Sequence, residues 1–195
     1  MERNEVSATL IGVASLLLLA GCSTAPPPPP VTLSVTTANP VSAKARLYVV
    51  ENFSANFGNN ERLFRDRIRA LAQPCQAAVD FFEMPKASGE LSLDPDIAST
   101  QADFNRRIAA FQPDGILEVT TTGWRAQGTL GASPSTQLSF ATFTLQARLL
   151  DGKQRSQQWR ATGTLNVKAD SGGELLAAEI IRLLAANGAL PHCPK

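Results

Sequence analysis

Residues 137–168 read QLSFATFTLQARLLDGKQRSQQWRATGTLNVK, and this stretch decides the fold. Apolar and polar residues alternate through two runs, 137–150 and 155–168. A period of two is typical of strands with one buried and one wet face. Asp151-Gly152 between the runs is a strong hairpin signal, so we predict an antiparallel pair of strands.

The flanking sequence extends this pair into a layered domain. Three further strands are predicted from apolar, β-rich runs, at 45–52, 77–83 and 116–127. Three helices are predicted from apolar residues at helical spacing, at 59–73, 98–111 and 171–187. Asn59-Asn60 is expected to cap the first helix, Ser171 and Glu174 to open the last, and Asn187-Gly188 to end it. The element order β-α-β-α-β-β-β-α predicts an α/β (α+β) fold, with a mixed sheet of about five strands and three helices.

The composition narrows the classes of function. The chain has 195 residues, and 18 Lys and Arg against 17 Asp and Glu give a net charge of +1. This balance argues against a nucleic-acid partner bound by bulk electrostatics. One His, three Cys and no phosphate loop, dinucleotide fingerprint or nucleophile elbow leave little for catalysis. We therefore expect no catalytic residue, no metal and no cofactor, and a protein that is not an enzyme.

The amino-terminal segment indicates a membrane anchor. An apolar run covers 8–20, within the length of a signal-peptide hydrophobic region, and Leu19-Ala20-Gly21-Cys22 follows its core. This tetrapeptide resembles the lipobox of bacterial lipoproteins. The resemblance implies that 1–21 is a signal peptide, that Cys22 carries the lipid, and that Ser23 directs the protein to the periplasmic face of the outer membrane. The inner membrane and the cell surface remain alternatives.

The sequence after Cys22 is typical of a spacer. Five prolines, 26–30, begin a Pro-, Ser- and Thr-rich stretch that we interpret as a tether over 22–44, before a single globular domain at 45–195. Proline runs adopt an extended helix, which lifts a domain away from a membrane. Recognition of the prolines by a partner is the alternative.

Two cysteines remain after Cys22, and they form a natural pair. Cys75 follows the first predicted helix, and Cys193 follows the last. Because a lipoprotein domain lies in an oxidising compartment, we predict a Cys75–Cys193 disulfide that joins the carboxyl terminus to the domain. Two free thiols are the alternative.

Candidate partner-binding residues are arginines and an aromatic residue. Arg62, Arg65 and Arg69 share one face of the first helix, and Trp124 and Arg125 lie together on a predicted strand. Arginine and tryptophan often anchor protein interfaces. Solvated helix faces and ordinary packing are the alternatives. The 128–136 loop, GTLGASPST, is a further candidate for contacts.

The layout has a second resemblance, carried by 47–53, 113–121 and 145–159. It is similar to small envelope-assembly lipoprotein domains of the curli-assembly, penicillin-binding-protein activator and Tol-propeller amino-terminal type. The resemblance implies a lipid-anchored module that binds a periplasmic or outer-membrane protein. An auxiliary protein for lipid or lipopolysaccharide transport, with an apolar groove, is the alternative. The sequence does not predict the oligomeric state.

Overall fold

The computed structural model describes residues 30–38, 41–86, 97–128, 139–168 and 172–193. The strands in these ranges are β1 (Val31–Ala38), β2 (Arg46–Asn52), β3 (Ala78–Glu83), β4 (Gly115–Gly128), β5 (Ser139–Asp151) and β6 (Gln157–Lys168). The helices are α1 (Asn60–Ala72), α2 (Ile97–Phe111) and α3 (Gly172–Ala186). The lipobox, residues 129–136 of the candidate loop and Ser171 lie outside the described residues.

The described strands form one mixed sheet in the order β1-β6-β5-β4-β2-β3. β3 and β4 both pair in parallel with β2, and the other pairs are antiparallel. The predicted α+β fold with three helices is therefore confirmed. The sheet has six strands rather than about five, because Val31–Ala38 pairs with β6. This edge strand lies inside the stretch that we interpreted as the tether, and its alternating Leu33 and Val35 are covered by the domain.

The helices α1 and α2 lie on opposite faces of the sheet because of the direction of their crossover connections. The chain moves from β2 to β3 through α1, then returns across β2 to β4 through α2. Right-handed crossovers that run in opposite directions lie on opposite faces of a sheet. Accordingly, residues of α1 belong to one hydrophobic core and residues of α2 to the other.

The larger core lies between the sheet and the α1 and α3 layer. Phe64 and Ile68 of α1 and Leu176 and Ile180 of α3 are fully buried there, against strand residues that include Trp159. Helical spacing places each pair on one side of its helix, which explains why both helices bury a single stripe. The helices approach closely at Gly173, where an added Cβ would lie 2.0 Å from the Asn60 carbonyl oxygen.

The start of α1 differs from the predicted cap. The Asn59 side chain makes no capping hydrogen bond. The adjacent Asn60 is buried, its Oδ1 accepts a hydrogen bond from the Gly173 N–H at 3.1 Å, and its Nδ2 donates to the Phe57 carbonyl at 3.0 Å. The asparagine pair therefore joins α1 to α3 rather than capping α1 by its first member.

The turn of the β5–β6 hairpin and the end of α3 form as their residues predict. Asp151 Oδ1 accepts the N–H groups of Lys153 and Gln154 at 2.9 and 2.8 Å, and these bonds lower the pKa of Asp151. Gly188 adopts a φ of 80°, which favours glycine, directly after α3. Beyond it, Cys193 forms the predicted disulfide with Cys75, with an S–S distance of 2.03 Å.

Among the described helices, α2 alone packs on the second face of the sheet. Ile108 of that helix packs in a small core with the strand residues Tyr48, Val50, Phe82 and Ile116. Over β1, β6, β5 and β4 the same face carries hydroxyl and amide side chains in cross-strand rows, namely Thr32–Thr164–Thr144 and Ser34–Thr162–Gln146. No described helix covers this polar part.

Candidate docking cleft

The strand β3 is an edge of the sheet and the floor of a cleft. The N–H groups of Ala78 and Met84 donate to the carbonyls of Ala45 and Glu51 in and beside β2, at 2.8 Å each. Because backbone groups alternate in direction along a strand, those of Val79, Phe81 and Glu83 point to the open edge. Among the described residues, β3 has a strand neighbour on one side only.

One backbone donor of this edge is covered by its neighbour. The Asp80 carboxylate accepts the Phe81 N–H at 2.9 Å. Edge strands commonly carry such protection, because exposed N–H and C=O groups invite pairing with other strands. The remaining outward groups flank this position on both sides.

Two arginines of α1 form one wall of the cleft. The Arg69 guanidinium carbon lies 4.7 Å from the centroid of the Phe81 ring, and that of Arg65 lies 5.9 Å from it. Cation–π contacts of this kind hold a guanidinium in place while its edge stays available. Both residues were candidates from the sequence, and the structure brings them together.

The α2 helix forms the opposite wall. Arg107 lies over the Phe82 ring, 5.8 Å from its centroid, and its Nε donates to Asp103 at 2.9 Å. Between the two walls the cleft has a volume of about 630 Å³. Its charged lining residues are balanced, with three arginines and three carboxylates: Arg65, Arg69, Arg107, Asp80, Glu83 and Asp103.

A buried ion pair fixes Arg65 at the head of the cleft. Glu51 is 1% exposed and accepts hydrogen bonds from Arg65, including one from Nε at 3.0 Å. Arg65 also donates to Glu83 at 3.1 Å. Burial raises the pKa of Glu51, and the hydrogen bonds and charge of Arg65 oppose that rise. Arg65 is thus held between two carboxylates, whereas Arg69 is more than half exposed and has only a 3.6 Å pair with Asp66.

An apolar pocket adjoins the cleft on the α2 side. It has a volume of about 310 Å³ and shares Phe82, Pro85 and Thr100 with the cleft. Val50, Met84 and Phe104 supply the rest of its apolar lining. A pocket of this size next to an edge strand can receive a single apolar side chain of a bound segment.

The other sequence candidates lie elsewhere. Arg62 is exposed and pairs with Asp66 at 3.6 Å, and it does not line the cleft. Trp124 and Arg125 are exposed on β4, away from the cleft-lining residues. The sequence analysis missed Asp80, Glu83 and the aromatic pair Phe81–Phe82. No local pattern marks them, because their importance arises from the position of β3 at the edge of the sheet.

The described residues contain no group of three or more His, Cys, Asp or Glu side chains placed to hold a metal. None of the helices in the described ranges has the length and apolar character needed to cross a membrane.

Comparisons with known proteins give distant likenesses. No family model matches the sequence, and no curated protein matches it. The PelC dodecamer from Paraburkholderia phytofirmans is similar at 14% identity and a TM-score of 0.49, over 81% of this chain and 97% of that one. Lipoprotein GNA1162 from Neisseria meningitidis is similar at 15% identity and a TM-score of 0.40, over 75% and 99% of the two chains. These likenesses carry no argument about what this chain binds.

Proposed function

We propose that this protein is a lipid-anchored, non-enzymatic module of the cell envelope that binds an extended segment of a protein partner along β3. The single observation that carries the proposal is the open edge of β3 at the floor of a walled cleft. Strand addition to an exposed edge is a common mode of peptide recognition, in which main-chain hydrogen bonds supply affinity. The lipobox resemblance supports the envelope location.

The walls of the cleft provide the means of selection. A strand added to β3 would place alternate side chains towards α1 and towards α2. The α1 side presents Arg69, the more exposed of the two arginines over Phe81. The α2 side presents Arg107 and the 310 Å³ apolar pocket. A segment with an acidic side chain for the first wall and an apolar one for the second fits this arrangement best.

The test replaces one outward-facing residue of the edge. Val79→Pro removes an N–H that points away from β2 and blocks strand addition. Val79→Ala is the matched control, because it loses the same side chain and keeps the N–H. The full lipidated chain and both variants are used for affinity capture from their own membranes, with mass spectrometry of proteins and lipids.

We expect one envelope protein to be recovered in equal yield with wild type and Val79→Ala. With Val79→Pro its yield should fall by roughly tenfold or more. Denaturation curves of both variants establish that they fold. Equal recovery with all three chains would overturn the edge as the docking site. A co-purified lipid without any protein would favour the lipid-carrier alternative over the docking role.

A further inference from the structure

The start of β1 and the exposed Trp124 lie at the same end of the sheet. Val31 pairs with Leu165, Leu165 with Phe143, and Phe143 with Trp124, so the four residues form one row across β1, β6, β5 and β4. Three strand spacings separate the ends of this row, which is about 14 Å. We call this the tether end of the sheet, because the chain enters the described domain at Val31.

The length of chain before β1 limits how far this end can be from the anchor. Val31 follows Cys22 by nine residues. Nine residues span at most about 30–32 Å when fully extended. If Cys22 carries the lipid, Val31 therefore stays within about 30 Å of the bilayer surface. The turn between β5 and β6, at the other end of β6, lies roughly 27 Å further along the strand direction.

Exposed apolar side chains are concentrated at the tether end. Trp124 is 44% exposed and Leu175 is 37% exposed, and they are two of the three large apolar side chains that are exposed among the described residues. Leu175 lies in the first turn of α3, whose first residue, Gly172, packs against Leu165 and Val167. Leu165 belongs to the same row as Trp124. The two exposed residues thus lie at the end of the domain where the chain enters from the anchor.

Trp124 has the chemistry of an interfacial anchor. An indole ring combines a large apolar surface with one N–H donor, and tryptophan is enriched where lipid headgroups meet hydrocarbon. Arg125 is exposed beside it and offers donors to headgroup phosphates. Phe143, directly opposite Trp124, is 2% exposed because it contacts Phe57 in the core.

We propose that the tether end, with Trp124 and Leu175, contacts the headgroup region of the bilayer that holds the lipid of Cys22. This contact orients the domain with its tether end towards the bilayer. The edge strand β3, which is five strands away from β1, then lies at the side of the domain. This inference rests on the lipid anchor of the proposed function and not on docking at β3.

The two tryptophans of the chain make the test direct. Trp159 is fully buried, whereas Trp124 is exposed. The full lipidated chain and its Trp124→Phe variant are reconstituted in phosphatidylethanolamine–phosphatidylglycerol vesicles, with and without dibrominated phosphatidylcholine. Subtraction of the variant's emission from that of the wild type leaves the signal of Trp124, with no change to the core. Flotation of the vesicles reports whether the chain is anchored.

We expect brominated lipid to reduce the Trp124 signal, and aqueous iodide to quench it less on vesicles than in the unlipidated Cys22→Ser chain. The emission of Trp124→Phe should not respond to either quencher. A floating chain whose Trp124 is insensitive to brominated lipid and fully open to iodide would overturn the membrane contact and leave the proposed function intact. A lipidated preparation that does not float would instead overturn the anchor itself.

Discussion

The two faces of the sheet differ in how they are covered. On one face, α1 and α3 bury a continuous apolar layer that reaches from Leu33 on β1 to Phe81 on β3. On the other face, Ile108 of α2 covers four buried strand residues on and beside β2, and the strands beyond them carry threonine, serine and glutamine. Burial of apolar surface stabilises a fold by about 25 cal/mol per Å². The first face buries many more apolar side chains, so it supplies most of the hydrophobic stabilisation.

The face that contributes most to stability is therefore different from the part of the molecule that offers binding sites. The α1 and α3 layer fills its face of the sheet with side chains. The apolar pocket lies where α2 meets the sheet, and the cleft adjoins it at Phe82 and Thr100 and reaches α1 around the edge strand β3. Binding sites tend to lie where cover is incomplete, because a partner can reach side chains and backbone there. Three substitutions test this division, from the largest expected effect to the smallest.

Trp159→Ala should have the largest effect on stability. The side chain is fully buried in the larger core, so its removal leaves a cavity under the helices. We expect the free energy of unfolding to fall by about 3–5 kcal/mol, measured by urea denaturation. The exposed Trp124→Ala is the matched control and should change it by less than about 0.5 kcal/mol. Equal losses for the two variants would contradict the assignment of the main core.

Arg65→Met should have an intermediate effect that depends on pH. Burial raises the pKa of Glu51 above its unfolded value of 4.5, and Arg65 opposes this shift. A raised carboxyl pKa contributes stability below the unfolded pKa, and this contribution is lost as the pH rises through the folded pKa. Removal of Arg65 raises the folded pKa further, so the variant should approach wild-type stability near pH 4 and lose about 1.5–3 kcal/mol at pH 7.

Denaturation curves at both pH values check the Arg65→Met prediction. Arg62→Met, on the same helix, removes only an exposed pair with Asp66 and should cost less than about 0.5 kcal/mol at either pH. When Glu51→Gln is combined with Arg65→Met, the extra loss of stability at pH 7 relative to pH 4 should disappear, because the buried carboxylate is gone. A loss that is the same at pH 4 and pH 7 in the single variant would show that Glu51 is not the group left without a partner.

Thr144→Val should have the smallest effect. Thr144 is exposed on the polar face of β5, and valine keeps the branched shape that strands favour. We expect a change below about 0.5 kcal/mol in the free energy of unfolding of the isolated chain. A stabilisation or loss of several times this size would mean that this face is covered in solution, which analytical ultracentrifugation would then reveal as self-association.

Local pattern predicted most of the elements, since periodicity is a local property. The alternation through 137–168 and the Asp151-Gly152 signal predicted β5, β6 and their hairpin, and helical spacing predicted α1, α2 and α3. The Cys75–Cys193 pair followed from its even count and the expected compartment. β1 was missed because Val31–Ala38 is rich in threonine and follows a proline run, so its pattern resembles a tether.

The candidate cleft required the tertiary structure. Arg62, Arg65 and Arg69 were predicted as a set because they lie on one face of a helix, which is a matter of spacing, and two of the three line the cleft. Phe81 and Glu51, which contact Arg65 and Arg69, lie 12 to 16 residues away from them, and no local rule connects these positions. The remaining wall, with Arg107, comes from a helix on the opposite face of the sheet.

Local spacing and short motifs in the sequence predicted most of the elements, the fold class, the disulfide pair and the resemblance to a lipoprotein. The tertiary structure was needed to show that β3 has a strand neighbour on one side only among the described residues, that α1 and α2 wall it from both sides, and that Trp124 lies at the end where the chain enters the described domain. Strand order follows from long-range pairing, and the energy of pairing depends on which faces become buried together. The proposed docking edge and the proposed membrane contact are both consequences of that order.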